Sequence, residues 1–557
     1  MGVFLVFVVI PGSILAVVVF FSCILLRHVT SSMSHLLQQQ GGKGGRRYQV
    51  AFLHPDLGIG GAERLIVDAA VGLQSRQHIQ RATCTIFTPH HDRHRAFEET
   101  TNGAVKVVVV GGGLFPRHVL NRGHVLFATL RMCCAAIYLA VSFQTDANFA
   151  FDVLVIDQVS SVMPLVKLLC PKLKMLFYCH FPDQLCDPSR VVAVVEPLTR
   201  TRTATLKKSE EIKTTTRRDR DSTTQPGNNR NSNNNPFKVM YRSLFDWLES
   251  RTIVVADSIV CNSQFTRCRT IDVFPQLHNV IREDKDIFYP PIDLDAITSP
   301  IVMMDHGVPV IVAGKTHQCE GARIPATMST LSSEEWVDLE HKMTLGQLWR
   351  TCREGSCVVS VNRFERKKNI SLAIRAFALV IQQPNVDGEG FIRKPHLILA
   401  GGYDPRLPEN KEHVHELEQL VEHLHMAPHV TVLKSITTAA KRVLLQHAVC
   451  VVYTPENEHF GIVPLEAMAC GTPVLAVNSG GPLESIGTSD VFGYLRPPDP
   501  GAFADVMAHL MTNRVDQLRD MARERVTRLF SLETFSTKLM MRIVELTSVI
   551  PTDKKKK

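Results

Sequence analysis

The chain has 557 residues, 45% hydrophobic and 21% charged, a globular composition with length for two ordinary domains and residues left over. Its formal net charge of +8 is modest and aromatic residues make up only 7%, which argues against a nucleic-acid binder that combines basic charge with stacking rings. The 14 cysteines form neither a C-x-x-C pair nor a disulfide-framework spacing, so reduced thiols in a cytosol-facing protein are expected.

Residues 3–26 are uncharged and continuously apolar, VFLVFVVIPGSILAVVVFFSCILL. As a helix rising about 1.5 Å per residue, this run would span a bilayer core of about 30 Å. It is longer than the roughly 7–15 apolar residues of a cleavable signal peptide, and no basic segment precedes it, so an uncleaved anchor over 1–27 is expected. Arg27, Lys43, Arg46 and Arg47 all lie on its C-terminal side, which places the rest of the chain in the cytosol. Residues 28–47 are polar and glycine-rich and read as a flexible tether.

A first domain is expected over 48–290. Its first strand, 48–54, ends at His54 and leads through Asp56, Gly58, Gly60 and Gly61 into a helical LIVDAAVGLQSR. Glycines at a strand-to-helix turn let a phosphate or sugar approach the backbone, although an isolated cluster is weak evidence. A dinucleotide fold would want an acidic residue after the next strand, and ATCTIFTPHHD offers only Asp92, so NAD is not favoured. Strands follow at 104–110 and 152–157. Between them lies an apolar helix over 126–143, interrupted by Arg131; it is short for a second span but able to touch a bilayer. The strand 174–180 ends at His180, a position where site residues gather, although a lone histidine is more often structural. From 187 to 236 the chain is poor in apolar residues; residues 200–236 hold nine Lys/Arg and four Asp/Glu, and disorder is expected. A second insertion, within an interdomain segment over 291–356, has the composition of a small subdomain or a linker.

A second domain is expected over 357–530, followed by a crossover helix and basic tail over 531–557. The strand 357–362 precedes RFERKKN, four cations in seven residues where a strand meets a helix. That pattern is an anion site or, more ordinarily, a solvated basic loop. A sequon at Asn369 would place a glycan beside Lys368, which again favours a cytosolic face. Strand 396–399 runs into a glycine turn containing Gly402. The helix around 412–425 carries His413, His415, His423 and His425, whose two-residue spacing puts no pair on one face, so zinc is not expected. Asp-x-Asp triplets at Asp219, Asp284 and Asp293 arise easily by chance, and no metal site is expected. The most specific stretch is YTPENEHFGIVPLEAMACGTPVLAVNSGGPLESI over 453–486. A buried strand over 448–453, a loop with Glu458, a helix opened by Pro464 and stopped by Gly471 and Pro473, and a strand over 474–477 make one unit of a parallel sheet. Glu458 and Glu466 bracket its turn. Carboxylates there would grip hydroxyl groups while backbone N–H groups hold an anion, as a sugar joined to a nucleotide diphosphate requires.

HPDLGIGGAERL, YCHFPD, NSQFT, VNRFERKKN, AGGYD, NEHFGIVPLEAM and AVNSGGPLESI occur in this order between residue 48 and about 540. Together with the E-x7-E spacing they resemble the retaining GT-B glycosyltransferases of family 4, in particular its dolichol-pathway mannosyltransferases. The resemblance implies an α/β GT-B fold of two Rossmann-like domains facing a cleft, with an N-terminal transmembrane helix. It implies GDP-mannose as donor, a dolichol-diphosphate-linked oligosaccharide as acceptor and no required cofactor or divalent metal. It also implies the endoplasmic reticulum membrane as the location, with other early glycosylation transferases as neighbours and no nucleic acid. By the same resemblance Glu458 and His180 are catalytic; Gly60, Gly61, Arg363, Lys368, Gly402, His459, Phe460, Gly461, Ile462 and Glu466 bind the donor; and His54, Asp56 and Gly58 face the acceptor. Two other readings stay open on the sequence: a membrane glycosyltransferase of this family with another donor or lipid, and a non-catalytic scaffold that keeps the fold.

Overall fold

The structure, a computed structural model, describes residues 47–548 except 76–80, 94–95, 117–122, 146–149, 186–235, 300, 306–307, 314–329, 333–335, 339–342, 355 and 384–394. The expected anchor, the tether up to residue 46, the first insertion up to residue 235 and the terminal lysines lie outside the described residues.

The chain forms two compact units, one of Met1–Cys261, Cys268–Asp286 and Met540–Lys557, the other of Asn262–Arg267 and Ile287–Leu539. The first is built on β1 (Arg47–Leu53), β2 (Arg81–Thr88), β3 (Lys106–Val109), β4 (Val153–Asp157), β5 (Lys174–Cys179) and β6 (Ser258–Cys261), in the order β3-β2-β1-β4-β5-β6. Every pairing is parallel, with Phe52 opposite both Ile86 and Val155. The strands are short apolar runs; all five residues of β4 are buried, as a parallel sheet covered on both faces requires. The helix Gly61–Gln74 packs Leu65, Ile66, Ala69, Ala70 and Leu73 inward. The apolar helix is longer than the 126–143 expected from sequence. His124–Thr145 has the length and composition to cross a membrane, with a third of its most apolar window buried in the protein and Met132, Ala135, Ala136 and Leu139 among its inward residues.

In the second unit the interdomain segment is more than a linker. It carries β7 (Ile301–Asp305), β8 (Val308–Ala313) and β9 (Thr330–Ser332) in one small sheet, then the hairpin of β10 (Trp336–Asp338) and β11 (Met343–Thr344), and the helix Leu345–Glu354. The main sheet consists of β12 (Ser356–Val361), β13 (Pro395–Gly401), β14 (Val430–Lys434), β15 (Cys450–Tyr453), β16 (Val474–Val477) and β17 (Tyr494–Arg496), all parallel, in the order β14-β13-β12-β15-β16-β17. Alternation along the strands sorts the core into two layers. Val359, Val361, Ile398, Val451 and Val474 face one layer; Val358, Leu397, Leu399, Val452 and Leu475 face the other. Both layers are apolar because helices cover both faces.

The helix Ile462–Cys470 begins two residues before Pro464, so the proline sits within its first turn instead of opening it. Gly461 is its N-cap residue and Gly471, with φ +73°, ends it. The helix Leu532–Ser548 closes the described chain. Within the first unit its Arg542 donates to Asp286 Oδ1 at 2.7 Å, Ser258 Oγ at 2.6 Å and the Lys285 carbonyl at 3.1 Å.

Candidate active site

In both sheets the strand order reverses direction at the centre, between β1 and β4 and again between β12 and β15. Such a reversal leaves a crevice outside the strand carboxyl ends, where doubly wound sheets bind ligands. Backbone strain gathers there as well. Of five non-glycine residues with left-handed φ among the described residues, Gln158 directly follows β4, while Asn369, Ser435 and Asn457 lie in the loops around the second crevice.

The crevice of the second unit is a cavity of about 320 Å³. Arg363 and Lys368 enter it from the loop after β12, Gly401 and Gly402 from the end of β13, Ser435 from the end of β14, and Tyr453 from β15. Lys441 completes the lining from the first turns of the helix Thr438–His447, whose N-cap Thr437 accepts from the Ala440 N–H. Arg363 is largely exposed, with Glu365 at 3.4 Å. Lys368 Nζ forms a close ion pair with Glu458 Oε2, and Thr454 Oγ1 donates to the Lys368 carbonyl at 2.7 Å, fixing the loop that carries it. Lys441 Nζ lies 2.6 Å from the Glu466 carboxylate. Each carboxylate of the E-x7-E motif is therefore held by a lysine. Burial alone would raise the Glu458 pKa, but the Lys368 ammonium, with His459 and Lys367, outweighs it and holds the group below its ordinary value.

The turn at Gly480 and Gly481 sets the height of the Glu458 loop. Gly481 N–H donates to the Glu458 carbonyl at 2.7 Å, and a Cβ on Gly481 would lie 2.2 Å from Phe460 Cα. Gly480 has φ +66°, and its Cβ would meet the Glu458 carbonyl oxygen at 2.5 Å. The remaining motif residues serve this loop. Phe460 is buried, stacked on Tyr289 at 5.5 Å and near Phe530 at 5.8 Å, so its side chain is a core anchor and not a wall of the cavity. The His459 carbonyl accepts from Ser263 Oγ at 2.7 Å, Gly461 caps the helix and Ile462 begins it. The NSQFT segment belongs here too, since the Glu484 carboxylate accepts from the Gln264 and Phe265 N–H groups at 2.7 and 2.6 Å.

In the first unit, adjacent parallel strands bring three side chains together. His54 after β1 places Nδ1 at 2.8 and 2.9 Å from the two oxygens of Asp157, the last residue of β4. His180 after β5 places Nε2 at 3.0 Å from Asp157 Oδ2 and its ring 4.9 Å from Tyr178. Asp157 is absent from the sequence-derived set; the one signal for it is an acidic residue closing the otherwise apolar VLVID. His54 is fully buried and braces Asp157, whereas His180 is partly exposed. Burial would raise the Asp157 pKa, but the two imidazoles bring it down to about 2. Burial lowers the His54 pKa, and Asp157 more than reverses this. Asp56 pairs with His90 at 3.1 Å. Gly60 and Gly61 start the helix Gly61–Gln74, whose N-terminus has no side-chain cap, and Gly58 lies in the loop before them. Among the described residues no group of three or more His, Cys, Asp or Glu is placed to hold a metal ion.

Residues 353–528 match the family model for glycosyl transferases group 1. Among solved structures, the chain is similar to sucrose-phosphate synthase from Thermosynechococcus elongatus (TM-score 0.55, 17% identity, covering 90% of this chain and 99% of that one). It is also similar to a glycosyltransferase from Rickettsia africae (TM-score 0.53, 13% identity, 91% and 100%). Two Rossmann-like sheets and these neighbours define a glycosyltransferase of the GT-B fold. The chain is 35% identical over 503 residues to the human alpha-1,3/1,6-mannosyltransferase ALG2, covering 89% of this chain and 96% of that protein, and 33% identical over 521 residues to that of Rhizomucor pusillus, covering 90% and 92%. It belongs to the alpha-1,3/1,6-mannosyltransferase ALG2 family.

Proposed function

We propose that this enzyme transfers mannose from GDP-mannose to lipid-linked Man1GlcNAc2-diphosphate-dolichol, first α-1,3 and then α-1,6, with retention at the transferred carbon. The observation that carries the reading is the cationic crevice of the second unit, where both motif carboxylates are paired with lysines. The diphosphate of the donor competes with Glu458 for Lys368. Once Lys368 and Arg363 turn to the phosphates, Glu458 is released to accept from mannose hydroxyls, and Glu466, steadied by Lys441, accepts from the ribose hydroxyls. As the bond to GDP breaks, negative charge grows on the leaving diphosphate, and the same cations stabilise it. Attack comes from the face the leaving group vacates, with a GDP phosphate oxygen as base. In the first unit, His180 is held by Asp157 in one ring orientation to contact the sugar near the reacting carbon.

The site is served by side-chain cations, with no divalent ion assigned to it. The acceptor's lipid accounts for an enzyme on the endoplasmic reticulum membrane, anchored by a single N-terminal span with both units in the cytosol, beside other early transferases of the pathway. Membranes carrying the protein are incubated with GDP-mannose and the one-mannose acceptor, and product linkages are determined. The reading expects both linkages. Turnover with UDP-GlcNAc instead, or donor binding without product, overturns it.

A further inference from the structure

The crevice of the first unit, at its own strand reversal, holds a cavity of about 200 Å³, room for a sugar ring or several waters. Pro55 after β1, Gln158 and Ser161 after β4, and Asp183 after β5 line it, a few positions along the chain from His54, Asp157 and His180. The helix His124–Thr145 contributes Val125, Ala128 and Thr129. The helix Pro236–Thr252 contributes Phe245 and Glu249. Glu249 Oε1 accepts from the Asp183 N–H at 2.9 Å, while Oε2 is buried without a hydrogen-bond partner. A buried carboxyl oxygen with nothing to bond is costly unless a ligand supplies the partner.

The chemistry of the lining selects that ligand. Burial pushes the Glu249 pKa up to about 7, with the neighbouring Asp183 and Asp246 carboxylates adding to the rise and the Asp183 and Gln184 N–H groups opposing it. A carboxyl near half-protonation both donates to and accepts from hydroxyls. Beside Asp183 it repels phosphate. A lining that mixes carboxyl, amide and hydroxyl groups with the apolar Pro55, Val125, Ala128 and Phe245 suits a pyranose, which is polar at its rim and apolar on its face.

We propose that this cavity is a saccharide subsite of the first unit, in which Glu249 and Gln158 read hydroxyls of one sugar ring of the lipid-linked acceptor. The inference rests on the acceptor reading above and adds the place and the residues. It is tested with Ala128→Phe and Ser161→Leu, which fill the cavity from two different elements, and Glu249→Gln, which keeps the shape but removes the titrating carboxyl. Binding of the free Man1GlcNAc2 trisaccharide is followed by NMR titration, and acceptor and donor KM are measured separately. Each filling variant is expected to raise the trisaccharide Kd and the acceptor KM by at least about tenfold, the worth of one lost buried hydrogen bond. Donor KM and melting temperature are expected to hold, and Glu249→Gln to raise the acceptor KM, though by less than the filling variants do. Transfer with unchanged acceptor KM in a folded filling variant overturns the subsite and leaves the mannosyltransferase reading intact, as does inorganic diphosphate displacing the trisaccharide. If the parent transfers to no lipid-linked acceptor, that reading falls instead, and trisaccharide binding kept or lost in Ala128→Phe still decides the subsite.

Discussion

Lys368 pairs with Glu458 in the structure and with the donor diphosphate in the proposed reaction, and substitution should reveal both roles. Lys368→Ala leaves the Glu458 carboxylate partly buried beside the Tyr453 phenol without its counter-charge, which costs about 1–3 kcal/mol of stability. It also removes a cation from the leaving diphosphate, so kcat/KM for GDP-mannose should fall about 10²–10³-fold. Denaturant titration and steady-state kinetics check the two effects. Lys368→Ala combined with Glu458→Gln should recover stability without recovering turnover, and unimpaired turnover in Lys368→Ala would refute the diphosphate assignment. Asp157 gives a pH signature. Its folded pKa of about 2 lies below the ordinary 3.8, so its contribution is complete above 3.8 and disappears as pH falls through 2, a difference of about 2 kcal/mol. His54 is shifted upward from 6.5, so its share is complete below 6.5 and disappears as pH rises through its folded value. The cluster therefore stabilises most between about pH 4 and 6.5. Asp157→Asn should lower stability most in that window and flatten the acid limb of an unfolding-against-pH curve.

The loop carrying Glu458 shows what an element adds to its residues. Gly481→Ala introduces a methyl group into the Phe460 backbone, and Gly480 has no neighbouring space into which the turn could retreat. Expected outcomes are a loss on the order of 2–3 kcal/mol in urea unfolding and a raised donor KM, because Glu458 and the helix N-terminus at Gly461 move together. Elements of this kind were partly legible in the sequence. The strands were, because a parallel sheet buried on both faces writes itself as short apolar runs such as VLVID and CVVY. The E-x7-E spacing and the basic loop were also legible, because helix and loop geometry put both near one turn. The lysine partners were not: Lys441 pairs with Glu466 across 25 positions and Lys368 with Glu458 across 90, distances that only the strand order closes. Asp157 and Glu249 escaped for a similar reason, since their partners His54 and Asp183 lie 103 and 66 positions away in the chain. The packing of the Phe460 ring against Tyr289 and Phe530 was not legible either, since its neighbours lie far along the chain.

At the scale of the whole molecule, one architecture is used twice with opposite electrostatics. Each unit has the same strand order and a cavity at its reversal, but Arg363, Lys368 and Lys441 line the second cavity and Asp183 and Glu249 the first. A nucleotide diphosphate and a neutral saccharide should therefore sort between the units by charge alone. Hydrogen exchange separates the two occupancies, because ligand binding suppresses local opening by RT ln(1 + [L]/Kd), about 2.7 kcal/mol at a hundredfold excess over Kd. GDP should slow exchange around 362–369, 401–403, 435–441 and 457–466. The free trisaccharide should slow it around 158–161, 183–185 and 245–249. Protection by GDP centred on the first set of strand ends would mean that charge does not direct the donor, and the assignment of the two cavities would have to be exchanged. Protection by GDP where it is expected, lost in Lys368→Ala and kept in Ala128→Phe, would tie each ligand to its own crevice independently of turnover.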